Sequence, residues 1–155
     1  MKEKRKYPRY DTEARIYFRV NYDLKTKVKF QEVFQDGRKK HLSRKYAALS
    51  RDISAEGIGF CSNKALKKGE LLYLEVYLPR RKTPLHMTGE VRWSMPAFCS
   101  RKHIYKFDTG VKLLTVSGEP VAKTIHRDKK HKVIWSRVLE SIFGSFRKIA
   151  KKKGF

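Results

Sequence analysis

The stretch Arg51–Phe60, RDISAEGIGF, decides how the rest of the chain is read. It places a carboxylate at Asp52, a hydroxyl at Ser54 and two glycines, Gly57 and Gly59, in one short segment. Side chains of an extended segment repeat every second position, so Asp52 and Ser54 face the same way and can share one ligand. Gly57 permits either a positive φ or the close approach of something bulky. Ile58 and Phe60 then resume the apolar alternation of a strand. Taken alone, the segment has a plainer reading, an Asx or Ser turn joining two strands.

Working outward, Tyr46 to Ile53 enters this segment as a strand. Further upstream, Val28, Phe30 and Val33 suggest another strand, and Asp36-Gly37 is a turn signal followed by the basic run Arg38 to Lys45. Glu13 to Val20 puts Ala14, Ile16 and Phe18 on one face and Arg15, Tyr17 and Arg19 on the other, the pattern of a half-buried strand. Downstream, Leu66 to Glu70 turns at Gly69, and Leu72, Leu74, Val76 and Leu78 alternate with Tyr73, Glu75 and Tyr77 until Pro79 stops the strand. Leu85, Met87, Gly89, Val91 and Trp93 form the next alternating series, followed by Phe107, Thr109, Val111 and Leu113. Short strands separated by turns at this spacing indicate an antiparallel barrel or sandwich.

The composition changes at Ser117, where Gly118 and Pro120 mark a break. Beyond a charged stretch, Val133 to Ala150 reads as a helix, with Ile134, Val138, Ile142, Phe146 and Ile149 at helical spacing and Trp135, Leu139 and Phe143 beside them. Such a helix packs across the sheet; alternatively, with Lys151-Lys152-Lys153 behind it, it rests on an anionic membrane or grips a partner.

A chain of 155 residues suffices for one domain with a real core, burying about 70% of its unfolded surface. Its 38 basic and 15 acidic residues give a formal net charge of +23, which favours anionic partners without choosing among them. Cys61 and Cys99 belong to no CxxC pair, so reduced buried thiols in a cytoplasmic protein are expected. The N-terminus is charged from Lys2 and lacks an apolar run, which argues against a signal peptide. The longest apolar stretches are interrupted by Glu75, Arg137 and Glu140, so no transmembrane segment is expected.

Catalysis finds little footing. His126-Arg127-Asp128 spells HRD without the other kinase motifs, Ser54 has no histidine placed to activate it, and the five histidines show no metal-ligand spacing. No catalytic residue, metal or cofactor is assigned.

The N-terminal arm sharpens the reading. Lys4-Arg5-Lys6-Tyr7-Pro8-Arg9 carries an Arg-x-x-x-Arg spacing, Arg5 and Arg9, ahead of the first strand. RxxxR followed by DxSxxG resembles the PilZ domain family, whose members are bacterial receptors for cyclic di-GMP. The runs GEVRW, residues 89–93, and FDTGVKL, residues 107–113, are similar to later strands of that fold. The resemblance implies an all-β fold, an antiparallel six- or seven-stranded Greek-key-like barrel, with a C-terminal α-helix. The expected organisation is a basic arm over residues 1–12, a barrel over 13–116 with an insertion at about 21–48, and a linker and basic amphipathic helix over 117–155. The ligand-binding set is Lys4, Arg5, Arg9, Asp52, Ser54 and Gly57, with cyclic di-GMP as ligand.

The chemistry suits these residue types. Each guanine of cyclic di-GMP offers N7 and O6 on its Hoogsteen edge, and a guanidinium can bond that edge bidentately, clamp a phosphate or stack on a purine. Asp52 can accept from a guanine N–H or orient an arginine, and Ser54 can donate to a phosphate or base edge. Gly57 leaves room for the ligand, and Lys4 adds a phosphate contact. Trp93 is either a core residue, the plainer reading, or a stacking partner for a base. The arm and the strand motif lie far apart in sequence, so a ligand bridging them would fold the arm and alter contacts with a downstream protein partner. Two other readings remain: a basic barrel that binds nucleic acid through residues such as Tyr17, Tyr73 and Tyr77, or a PilZ-like protein-interaction module independent of ligand.

Overall fold

The computed structural model describes residues 26–79, 81–97, 105–128 and 133–144. Ten strands appear among them: β1 (Lys27–Asp36), β2 (Lys39–Leu42), β3 (Tyr46–Ile53), β4 (Gly57–Ser62), β5 (Leu71–Tyr77), β6 (Leu85–Pro96), β7 (Phe107–Val116), β8 (Glu119–Pro120), β9 (His126–Asp128) and β10 (Val133–Trp135). A turn of 3-10 helix (Val121–Thr124) precedes β9, and a short helix, α1 (Arg137–Phe143), follows β10. The sheet runs β2-β1-β3-β4-β7-β6-β5, and β1 pairs again with β5, so six antiparallel strands close into a barrel. The β4–β7 pairing, which skips two strands, gives the order its Greek-key character.

Closure depends on β1. Residues 27–30 pair with β3, residues 27–33 pair with β5, and residues 33–36 run past the ring to pair with β2. The stretch read as an insertion at 21–48 thus contributes both a ring strand and a projecting hairpin. Gly37, at φ +61°, makes the tight link between Asp36 and Lys39.

Alternation explains the core. Val28 and Phe30 of β1, Ile58 and Phe60 of β4, and Leu72, Leu74 and Val76 of β5 are all at most 3% exposed. Phe30 stacks on Tyr46 with centroids at 5.3 Å and meets Phe60 in a tilted contact at 5.0 Å. Truncating such a ring to alanine costs about 3–5 kcal/mol. The inward position after Phe30 belongs to Glu32 rather than Val33, because parity along the strand is strict. Glu32 is buried, its backbone N–H donating to Ser43 Oγ at 2.8 Å.

Two expectations change. Trp93 does not enter the core: the β6–β7 register shifts between Val91 and Trp93, and this bulge turns the indole outward to 42% exposure. The helix is shorter than Val133 to Ala150. Residues 133–135 form β10, Ser136 caps α1 by accepting from Val138 N at 3.2 Å, and Gly144 at φ +91° ends it. Residues 145–155 lie outside the described part. Val138 nevertheless reaches the barrel core, as a packed helix should. No helix among the described residues is long and apolar enough to cross a membrane.

Candidate functional site

Four neighbouring strands build the site on the outer wall of the barrel. Pairing places Asp52 of β3 opposite Gly59 of β4, Gly59 opposite Gly110 of β7, and Gly110 opposite Trp93 of β6. Paired residues share a face, so these four form one row with a carboxylate at one end, an indole at the other and two glycines between. The glycines are needed for close approach: a Cβ on Gly59 would collide with the Asp52 carboxylate, and one on Gly110 with the Trp93 indole. Both end groups therefore lie over bare backbone, and a hollow of about 380 Å³ opens there, lined also by Ser54, Gly57, Arg92 and Lys112.

The loop carrying the motif is held from several sides. Ser54 N–H donates to Gly57 O at 2.9 Å and Leu113 N–H to Glu56 O at 2.7 Å. The buried Ser136 hydroxyl donates to the Ala55 carbonyl and ties the loop to the start of α1. The backbone is fixed, whereas the polar side chains of the motif at Asp52 and Ser54 are uncommitted, and Arg92 Nη1 lies 3.7 Å from Glu90 Oε1. Among the described residues, neither the Asp52 carboxylate nor the Ser54 hydroxyl has a hydrogen-bond or ion-pair partner. Gly57 does not adopt positive φ. An added Cβ there would stand 3.3 Å from both Ser54 Oγ and Val111 O, so close packing, not backbone conformation, favours glycine.

Beside this row runs an ion-paired one. Arg51 Nη1 meets Asp108 Oδ2 at 2.7 Å, and the Cys61 thiol donates to Asp108 Oδ1 at 3.0 Å. Burial, followed by that hydrogen bond, pushes the thiol up to about 12, so half-buried Cys61 stays protonated at neutral pH. Arg51, the cation adjacent to Asp52 in sequence, is thereby engaged with Asp108.

Asp52, Ser54 and Gly57 are brought to one hollow. Lys4, Arg5 and Arg9, together with the strand expected at Glu13 to Val20, lie outside the described residues. Sequence reasoning missed Gly110 as the floor beneath the indole, and Arg92 and Lys112 as the cations of the hollow. Their motifs were visible, but which residue of one strand stands against which residue of the next was not.

A family model described as PilZ domain matches residues 3–120. The chain belongs to the PilZ domain family. The match spans both the arm with RxxxR and the barrel with DxSxxG, and the closed antiparallel barrel agrees with the PilZ fold. PilZ domains are in general receptors for cyclic di-GMP that bind a ligand and act on partners, a family not known for catalysis. No curated protein and no solved structure matches the chain significantly.

Proposed function

We propose that this PilZ chain is a bacterial, cytoplasmic receptor and adaptor for cyclic di-GMP, seated on the outer wall over the Asp52–Gly59–Gly110–Trp93 row. The observation that carries the reading is that row: an indole platform and an uncommitted carboxylate, separated by glycine backbone and joined by a free hydroxyl at Ser54. One guanine stacks on Trp93, Asp52 accepts from a guanine N–H or orients an arginine, and Ser54 donates to a phosphate or base edge. Arg92 and Lys112 supply positive charge at the rim. Arg5 and Arg9, with Lys4, close over the ligand from the arm and change what the protein offers a downstream partner.

Nucleic-acid binding has less support. Tyr73 and Tyr77 are only half exposed and already engaged: Tyr73 Oη lies 2.6 Å from His86 Nδ1, and Tyr77 carries Lys29 Nζ over its ring at 5.4 Å.

Calorimetric titration with cyclic di-GMP, with GTP as control, tests the proposal on the parent and on Arg9→Ala, Asp52→Ala and Trp93→Ala. Saturable binding by the parent is expected, with each substitution weakening it about tenfold or more, the usual scale for a charge-assisted hydrogen bond or a stacked base. Absence of heat and of any melting shift at high ligand would sink the reading.

A further inference from the structure

The β3–β4 register shifts between Ser50 and Asp52, so Arg51 is the extra residue of a bulge. Ser50 stays buried, and the bulge turns two consecutive side chains, Arg51 and Asp52, out onto the same wall of the barrel. A guanidinium and a carboxylate on neighbouring residues of one wall invite pairing, and such a pair would cap the group that faces the hollow. The two do not pair. Arg51 instead reaches across β4 to β7, where its Nη1 meets Asp108 Oδ2 at 2.7 Å. The Asp52 carboxylate is left without an ion-pair or hydrogen-bond partner among the described residues.

Asp108 is equipped to win that competition. It belongs to the row of paired residues Leu49, Cys61, Asp108 and Met95, next to the row that carries Asp52 and Trp93. Its side chain is only 16% exposed, and the Cys61 thiol donates to its other oxygen, Oδ1, at 3.0 Å. Because the thiol stays protonated at neutral pH, it orients the carboxylate and adds no charge. A carboxylate held in place at low exposure attracts a cation more strongly than the hydrated, exposed one at Asp52. Neither Asp108 nor Cys61 lines the hollow, so direct contact with a ligand does not account for their arrangement.

We infer that Asp108 is a positioning residue that holds Arg51 away from Asp52 and so keeps the Asp52 carboxylate open to the ligand, or to an arginine that arrives with it. The gain in affinity for cyclic di-GMP rests on the receptor reading above; the hold on Arg51 does not. When Asp108 loses its charge, Arg51 turns to Asp52, and apparent affinity falls in proportion to the fraction of molecules left with Asp52 free. A pair whose guanidinium is half exposed ties up most of the population but not all of it, so a loss of about three- to fivefold is expected.

Calorimetry with cyclic di-GMP on Asp108→Asn and on the double variant Arg51→Gln, Asp108→Asn tests this, because two roles for Asp108 predict opposite signs. If Asp108 acted by its charge alone, neutralising it would tighten an anionic ligand, and removing Arg51 as well would weaken binding again. Positioning requires the reverse: Asp108→Asn weakens binding, and the added Arg51→Gln returns it towards the parent's. Asparagine keeps the shape and the acceptor for Cys61, so melting temperatures close to the parent's are expected; Asp108→Ser repeats the comparison without an amide. Carbon-13 spectra of the ligand-free full chain need no cyclic di-GMP. Arg51→Gln should leave the Asp52 carboxyl resonance, assigned by its loss in Asp52→Asn, in place while Asp108 is intact and move it when Asp108 is asparagine. An equal response in both backgrounds overturns the inference, as does tighter or unchanged binding by Asp108→Asn. A parent that takes up no cyclic di-GMP would sink the receptor reading alone, and the carboxyl resonance would still decide whether Asp108 restrains Arg51.

Discussion

At the scale of single residues, the site depends on what is missing from two of them. Gly59 and Gly110 leave the wall bare so that a carboxylate and an indole can lie across it. Gly110→Ala should therefore weaken cyclic di-GMP binding about tenfold or more by displacing the Trp93 ring. Its melting temperature should stay close to the parent's, because the obstructing atoms belong to an exposed side chain rather than to backbone. Titration and thermal melts on one preparation separate the two effects, and a variant that binds like the parent would remove Trp93 from the site. This residue also marks where sequence reading stops. The alternation Leu72, Leu74, Val76 was legible because β5 pairs regularly with β6. The alternation Val91, Trp93 misled because a bulge changes parity without any glycine or proline to announce it. Asp52 and Ser54 were legible from spacing, but the indole facing them required the register of four strands.

At the scale of elements, two contacts between distant segments carry testable weight. Ser136 caps α1 and also donates to the Ala55 carbonyl of the motif loop. Ser136→Ala removes the cap and leaves a buried carbonyl unpaired, so denaturant unfolding should show a loss of about 1–3 kcal/mol. The motif loop should loosen with it, read as faster amide exchange at Gly57 and Ile58. The start of this helix was misplaced in the sequence because β10 and α1 are both apolar, and a serine between tryptophan and arginine gives a weak cap signal.

The second contact joins β1 to the turn before β5. Burial, then the neighbouring Glu70 carboxyl, holds Glu32 above the usual carboxylate range, against the opposing pull of Lys64 at 3.7 Å. One Glu70 oxygen, Oε2, is buried without a hydrogen-bond partner. A raised folded-state value means that the folded protein holds this proton more tightly than the unfolded chain. The resulting stability is fully present below the ordinary glutamate value of 4.5 and is lost as pH rises through the raised one. Thermal melts should accordingly show Glu32→Gln gaining on the parent as pH climbs from 4.5 towards neutrality. A constant difference across that window would exclude a raised Glu32 value.

At the scale of the whole molecule, a formal charge of +23 makes salt the discriminating variable. Cyclic di-GMP brings two phosphates, so its affinity should fall only modestly between low and physiological salt. Binding spread over six to ten phosphates loses about a thousandfold or more over the same range. Parallel titrations with cyclic di-GMP and with single-stranded DNA distinguish a defined site from a generally cationic surface. All-β character and antiparallel pairing were legible in the spacing of turns. That β1 is shared by three neighbours was not, because its outward residues, Lys29, Gln31 and Val33, look the same whether a strand has one partner or two.

The hollow lies on the outside of a barrel whose interior is filled by Phe30, Phe60 and Leu74. A ligand arriving there displaces water from a wall; no strand pair has to part and no side chain has to leave the core. Capture at such an open wall can then proceed as fast as diffusion and charge attraction allow. The barrel contributes no delay of its own to entry or exit, so occupancy of this wall can follow the free ligand concentration closely.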